Sequence, residues 1–341
     1  MQNTNLPTLE FILKNYKNFN SRATKDALIA YWRHVEKGGK MFWAVGGAMS
    51  SAQMGITMAP AIRAGLISGM SVTGANLEES LFRLVAHKSY KDFPDYRYFT
   101  KEDDTKILED RMRRVTDTSI PEDEAFRVVE KQIVPTWKKA TEDGTRKFWH
   151  EYFYDLIKSV DVKDHEGKAD ECWLLAAAEN NIPIVVPGHE DSTFGNIFAS
   201  YVKNNECSPN IVKSGIEYMA EFYDQYQELS KGEGVGFFQI GGGISGDFPI
   251  CVVPSLKYDM QIADVKPWAY FCQISDSTTS YGSYSGATPN EKITWDKLTK
   301  ETPMFVIESD ATIVSPLMLT ALLECKANPS EANKLIEKYL A

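Results

Sequence analysis

The sequence predicts an α/β protein in which a parallel six-stranded sheet carries helices on both faces. Three observations predict it. Short apolar, strand-like runs alternate with stretches of helical spacing from residue 41 to residue 325, the pattern of parallel strands joined by helical crossovers. The glycine-rich and polar motifs each follow one of those runs directly, where an α/β sheet places its ligand-binding turns. No internal repeat, low-complexity tract or linker interrupts the pattern, so the alternation belongs to one fold.

Residues 9–36 have helical spacing and read as one or two helices with a break near Asn20-Ser21. Residues 41–47 form a short apolar run ending in Gly46-Gly47, a buried strand entering a tight turn, and residues 48–55 open a helix. Free backbone N–H groups at such a turn suit a phosphate. The spacing is not G-x-G-x-x-G, and a plain βα turn is the better reading of it. Residues 67–73 are a second strand, followed by Gly74-Ala-Asn-Leu-Glu-Glu79, whose acids suit the first turns of a helix. Residues 87–98 read as a loop and 98–114 as a charged helix. Pro121 with Glu122, Asp123 and Glu124 marks a helix start, with the helix running to Lys139, and 145–160 is a further helix rich in Trp and Tyr. Residues 161–168 are a charged loop.

Residues 172–179 are an apolar helix, 182–187 a buried strand, and 188–196 a polar turn. The helix at 211–229 stops at Lys231-Gly-Glu-Gly234. Residues 235–240 are a strand running into Gly241, Gly242 and Gly243, where a bare backbone can approach a ligand closely. Strands at 268–274 and 304–307 complete the set of six, and helices at 313–325 and 330–340 close the chain. The sheet is Rossmann-like in kind. Residues 1–40 read as an N-terminal helical extension, and 41–341 as a single catalytic domain with a helical insertion at about 98–160.

Composition sets limits on partners. The chain has 341 residues, 43% hydrophobic and 25% charged, with net charge −10 and an isoelectric point of about 5.2. A basic footprint for nucleic acid is absent, while an acidic surface attracts cations. The five cysteines include no Cys-x-x-Cys and read as reduced thiols of a cytoplasmic protein. The five histidines are scattered, which argues against a metal site. No apolar run is long enough to span a membrane, and the first residues lack the basic and apolar regions of a leader.

The chemistry concentrates in residues 285–297, Ser-Gly-Ala-Thr-Pro-Asn-Glu-Lys-Ile-Thr-Trp-Asp-Lys. Glu291, Trp295 and Lys297 supply a carboxylate, an aromatic wall and an amine. An amine beside an indole sheds water and can attack a carbonyl or imine carbon. Spacing alone favours the start of a surface helix with Pro289 in its first turn and Lys297 in solvent.

The run Ser-Gly-Ala-x-Pro-x-Glu-x-x-x-Trp-x-Lys resembles the active-site segment of the deoxyhypusine synthase family. The resemblance covers about residues 40–325. It implies that Lys297 forms a covalent imine with the butylamine group of spermidine, and that Glu291, Trp295, Asn196, Tyr284, Ser283 and Ser285 line the substrate pocket. It also implies an NAD cofactor held by Ser50, Thr73, Gly74, Glu79, Asp191, Gly242, Gly243, Asp310 and Ala311, and assembly as a homotetramer. Three positions depart from the family pattern. Asn196 and Tyr284 stand where the synthase has aspartates, and Ser245–Pro249, with one residue more, carries no histidine where the synthase has Lys-His-His. Asp247, Glu190 and the rings of Tyr281 and Tyr284 are candidates to replace the lost carboxylates. The chemistry is therefore expected to persist with recognition rebuilt: NAD-dependent aminobutyl transfer from a polyamine, spermidine or putrescine, to a small diamine, as in homospermidine synthesis. The alternatives are a true deoxyhypusine synthase that modifies a protein lysine, and a non-catalytic protein that binds NAD or polyamine.

Overall fold

Nine strands in the described residues form two sheets. They are β1 (Lys40–Val45), β2 (Gly69–Val72), β3 (Lys91–Asp92), β4 (Met112–Val115), β5 (Thr118–Pro121), β6 (Ile184–Val185), β7 (Val235–Ile240), β8 (Tyr270–Ser275) and β9 (Met304–Glu308). The structure, a computed structural model, describes residues 5–160 and 164–340. The readings of residues 1–4 as free of a leader and of 161–163 as loop concern positions outside that set.

The six-stranded sheet has the order β6-β2-β1-β7-β8-β9, and all five pairings are parallel. The six strands are those expected from the apolar runs. β7 and β8 are buried at every residue, as strands covered on both faces must be. The order runs outward from β1 through β2 to β6 on one side, and from β7 through β8 to β9 on the other. The direction in which strands are added across the sheet therefore reverses between β1 and β7. With right-handed crossovers on both sides, helices fall on opposite faces and a crevice opens at the C-terminal ends of β1 and β7.

The N-terminal helices Pro7–Asn15 and Phe19–Glu36 break at residues 16–18, where Phe19 adopts a left-handed φ of 55°. They are tied into the core. The Tyr31 hydroxyl donates to Leu66 O at 2.6 Å and accepts from Trp43 Nε1 at 2.9 Å, and Glu324 accepts the free N–H groups of Thr8 and Leu9.

The insertion is not purely helical. β3, β5 and β4 form an antiparallel sheet; β4 replaces the end of the helix expected at 98–114, and β3 lies in the stretch expected to be loop. A capping box between Thr100 and Asp103 starts the helix Lys101–Glu109, which stops before Arg111 at φ 56°. The chain then makes a tight hairpin, with Thr116 at φ 56° between β4 and β5. Pro121 ends a strand and is also the N-cap of a wide helical turn, Glu122–Arg127, with the three acids in its first turn, so the expected helix start holds; the turn leads directly into the long helix Val128–Asp143. The helix expected at 48–55 is a series of turns before Gly55–Arg63. The helix expected from 211 starts at Gly215, where Ser214 and Glu217 form a capping box.

Candidate active site

The loops after β1 and β7 meet at the crevice. A Cβ on Gly46 would lie 3.2 Å from Gly242 O, and one on Gly242 would strike Ser285 Oγ at 1.7 Å. Only glycine permits that approach. The loop after β2 joins them. Thr73 donates to Gly47 O and caps the helix Gly74–Ala86 by accepting from the Asn76 N–H. The Asn76 amide reaches the carbonyls of Val45, Gly46 and Gly47. The loop after β6 is close too, since a Cβ on Gly74 would meet Ser192 at 2.7 Å. Four strand ends thus share one edge.

Buried glutamines at the ends of the central strands hold this edge. Gln239 and Gln273 both donate to Gly241 O, and Gln273 also donates to Ser285 O at 3.2 Å. The Tyr284 hydroxyl donates to Gln239 Oε1 at 2.9 Å. Sequence reading passed over both glutamines because each sits inside an otherwise apolar strand.

Lys297 follows a single helical turn, Glu291–Thr294. Asp296 then takes a left-handed φ of 56°, an uncommon conformation for which Asp is among the better suited residues. Its carboxylate accepts from the Tyr258 hydroxyl at 2.7 Å and pairs with Lys257. The turn leaves the Trp295 indole 66% exposed and Lys297 6% exposed. The Lys297 ammonium lies 3.6 Å from Asp247 Oδ1, 5.7 Å from the Trp295 ring and 5.9 Å from the Tyr284 ring. Asp247 comes from the helix Ile244–Ile250, which begins directly after Gly243. The Cys251 thiol donates to the same Oδ1 at 3.7 Å, and burial pushes it up from its usual range.

Two cavities adjoin here. One of about 500 Å³ is bounded by Gly243, Ile244, Asp247, Cys251 and Tyr284. The other, about 540 Å³, is bounded by Cys251, Tyr258, Asp259, Trp295 and Lys297. Cys251 and Met219 belong to both. The glycine-lined edge and the amine therefore open onto neighbouring spaces.

The expected site residues divide by setting. Tyr284, Ser285, Trp295, Lys297, Gly242 and Gly243 are gathered at this edge. Glu291 is exposed and accepts only a long 3.4 Å bond from the Thr288 N–H. In the described residues no ion pair joins it to Lys297. Ser283 is exposed on the same loop. Asn196 and Asp191 are exposed beside the β6 loop, with Asn196 donating to Ser192 O at 2.7 Å. Ser50 is turned inward, where it donates to Asn76 O and accepts from Trp173 Nε1. Glu79 is also buried and accepts from the Ser51 hydroxyl at 2.5 Å, and burial raises its carboxyl. Asp310 caps the helix Ala311–Ala327 by accepting from Thr312, with Ala311 buried behind it.

A dinucleotide fits the edge on one structural observation. A Cβ on Gly241 or Gly243 would meet nothing within 4 Å, and both residues have positive φ, so bare main chain faces open space at the sheet's switch point. Gly47, Thr73, Gly74, Gly243, Asp191 and Asp310 could hold such a group. In the described residues no three metal-ligating side chains cluster, and no helix is long and apolar enough to cross a membrane.

The family profile of deoxyhypusine synthase matches residues 12–322 of this chain. "Probable deoxyhypusine synthase 2" of Methanosarcina acetivorans is 25% identical over 336 residues, covering 94% of this chain and 91% of the relative. "Deoxyhypusine synthase-like protein" of Nostoc punctiforme is 27% identical over 302 residues, covering 86% and 73%. A solved structure from Entamoeba histolytica, provisionally described as a deoxyhypusine synthase, superposes with a TM-score of 0.52 over 89% of this chain and 88% of that one. Its sequence identity is 11%, so that likeness concerns the fold alone.

Proposed function

The chain belongs to the deoxyhypusine synthase family, and from that premise we propose that it is an NAD-dependent aminobutyl transferase with Lys297 as nucleophile and a small diamine as acceptor. The observation that carries this reading is the setting of Lys297. It is a buried amine beside one carboxylate, between two aromatic rings, on a cavity that adjoins the glycine edge.

NAD, when bound, accepts hydride from the carbon beside a polyamine nitrogen and later returns it. The protein's own groups do the rest. Lys297 presents its nitrogen to the resulting imine carbon. A new C–N bond forms, the original amine departs with a proton (diaminopropane when spermidine is the donor), and the four-carbon amine remains on Lys297 as an imine. Asp247, 3.6 Å away, is placed to hold the proton that Lys297 gives up. The acceptor amine then displaces Lys297, and reduction of the new imine completes the product. Asp259 and the faces of Tyr258 and Trp295 line the cavity and suit the far ammonium group of the chain.

The small acceptor rests on the substitutions at Asn196, Tyr284 and Ser245–Pro249. Tyr284 spends its hydroxyl on Gln239 and offers a ring where the family has a carboxylate. Each lost charged hydrogen bond costs about 1.5–3 kcal/mol, which favours a shorter, less charged amine over spermidine. The exposed Trp295 and Ile244, which border the two cavities, support an assembly in which a second copy covers the site, as expected for a homotetramer.

The test supplies NAD with labelled spermidine or putrescine, and either putrescine or the hypusine-bearing translation factor as acceptor. Label in homospermidine is the expected result. Label in the factor and none in free polyamine would refute the small-acceptor reading.

A further inference from the structure

The turn that carries Lys297 carries a second buried amine. Lys292 is 3% exposed. Its nitrogen lies 4.9 Å from the Phe271 ring and 4.9 Å from the Tyr284 ring. Lys297 faces that same Tyr284 ring at 5.9 Å. The Lys297 N–H donates to Lys292 O at 3.0 Å, so the chain folds back to bring the two residues together. In the described residues no carboxylate pairs with Lys292. Among the described residues its side-chain nitrogen makes one hydrogen bond, a long 3.4 Å contact to Ala287 O.

A buried ammonium normally has a carboxylate partner, because desolvation alone is too costly. Here two amines share one ring and one carboxylate within reach, Asp247, which is committed to Lys297. The other titratable groups nearby are Glu291 on the same turn, Cys251 after the Asp247 helix, and the Tyr284 hydroxyl, which is bonded to Gln239. The faces offered by β7 and β8 are the neutral Gln239, Gln273 and Phe271. Burial, and then the charge of Lys297, bring the Lys292 amine down to about 8.

We propose that Lys292 is a positioning residue for the transfer step: its buried positive charge disfavours a second charge on the neighbouring Lys297 nitrogen and leaves that lone pair free to form the imine. The inference rests on Lys297 being the nucleophile and deepens that reading. It assigns Lys292 no contact with substrate, since Lys292 borders neither cavity. A coupling of about one pK unit between the two amines would change the neutral fraction of the nucleophile about tenfold.

The experiment needs neither cofactor nor donor. Wild type, Lys292→Met and Lys292→Arg are incubated with butanal at pH 7 and at pH 9.5, then quenched with borohydride. Imine formation releases water, hydride reduces the C=N bond, and mass spectrometry locates the butyl group. Lys292→Met should label Lys297 about tenfold less than wild type at pH 7 and nearly as well at pH 9.5. Lys292→Arg, which keeps the charge, should match wild type at pH 7. Labelling of Lys292→Met equal to wild type at pH 7, or lowered by the same factor at both pH values, overturns the inference while leaving Lys297 as the nucleophile. No label on wild-type Lys297 at either pH overturns both.

Discussion

Lys297 and Lys292 are separated by one turn of chain and have opposite electrostatic settings. Lys297 has a carboxylate and an open cavity, whereas Lys292 has two aromatic rings and a distant carbonyl. Lys297→Arg keeps the charge, but a guanidinium forms no imine at neutral pH. The variant should lose transfer completely while its circular dichroism and melting curve stay unchanged; measurable product would remove Lys297 from the mechanism. Lys292 also makes a stability prediction. Its folded-state pKa, about 8, lies below its ordinary value of 10.5. Between those values the unfolded chain binds more protons, so stability rises with pH from about 8 to 10.5. The gain relative to Lys292→Met should be up to roughly 3 kcal/mol, read from urea unfolding at pH 7.5 and 10.5. Lys297 and Trp295 were legible through the resemblance of their run to a family segment, since spacing alone describes a surface helix start. Lys292 was not, because Phe271 and Tyr284, which define its setting, arrive from a strand and a loop elsewhere in the chain.

At the scale of elements, the crevice depends on turns that tolerate little change. Gly242→Ala would place a Cβ on Ser285 Oγ, so it should displace the loop carrying Tyr284 and Ser285. The expected result is loss of transfer with the melting temperature only modestly lowered, measured in parallel. Asp310 was expected to touch NAD and also caps the helix Ala311–Ala327. The two roles separate by substitution. Asp310→Ser keeps a capping oxygen and should hold stability within a few tenths of a kcal/mol, whereas Asp310→Ala should cost about 1 kcal/mol. If both weaken NAD binding equally by calorimetry, the charge contributes to the cofactor site beyond its capping role. The six parallel strands were readable as apolar runs, which burial on both faces explains for the central β7 and β8, while the edge strand β9 is only partly buried. The β4–β5 hairpin was not, because its arginines pair with acids elsewhere, Arg114 with Asp104 and Arg113 with Glu122, and the run looks like one charged helix. Ser50 lies in the turns after β1 and Glu79 within the helix Gly74–Ala86, and sequence does not show that Asn76, Trp173 and Ser51 take up their polar atoms.

At the scale of the whole molecule, the net charge of −10 should draw polyamine donors toward the site at low salt. The KM for donor should therefore rise with ionic strength while kcat holds. Acid stability is governed in part by His150, fully buried against Tyr218 and pushed down to about 3 by burial and the charge of Lys213. Below its ordinary value of 6.5 the unfolded chain takes up a proton that the folded one refuses. Stability is thus lost as pH falls from about 6.5 toward 3, on the order of 5 kcal/mol in full, and His150→Gln should lose less between pH 7 and pH 4. The central claim, that the Lys297 amine carries the four-carbon fragment during transfer, has a direct test. Protein incubated with NAD and spermidine is quenched with borohydride, digested and sequenced by mass spectrometry. The account predicts an aminobutyl group on Lys297 that requires NAD and is absent from Lys297→Arg. Product amines formed with no such adduct on Lys297, or with the adduct on another lysine, would contradict it.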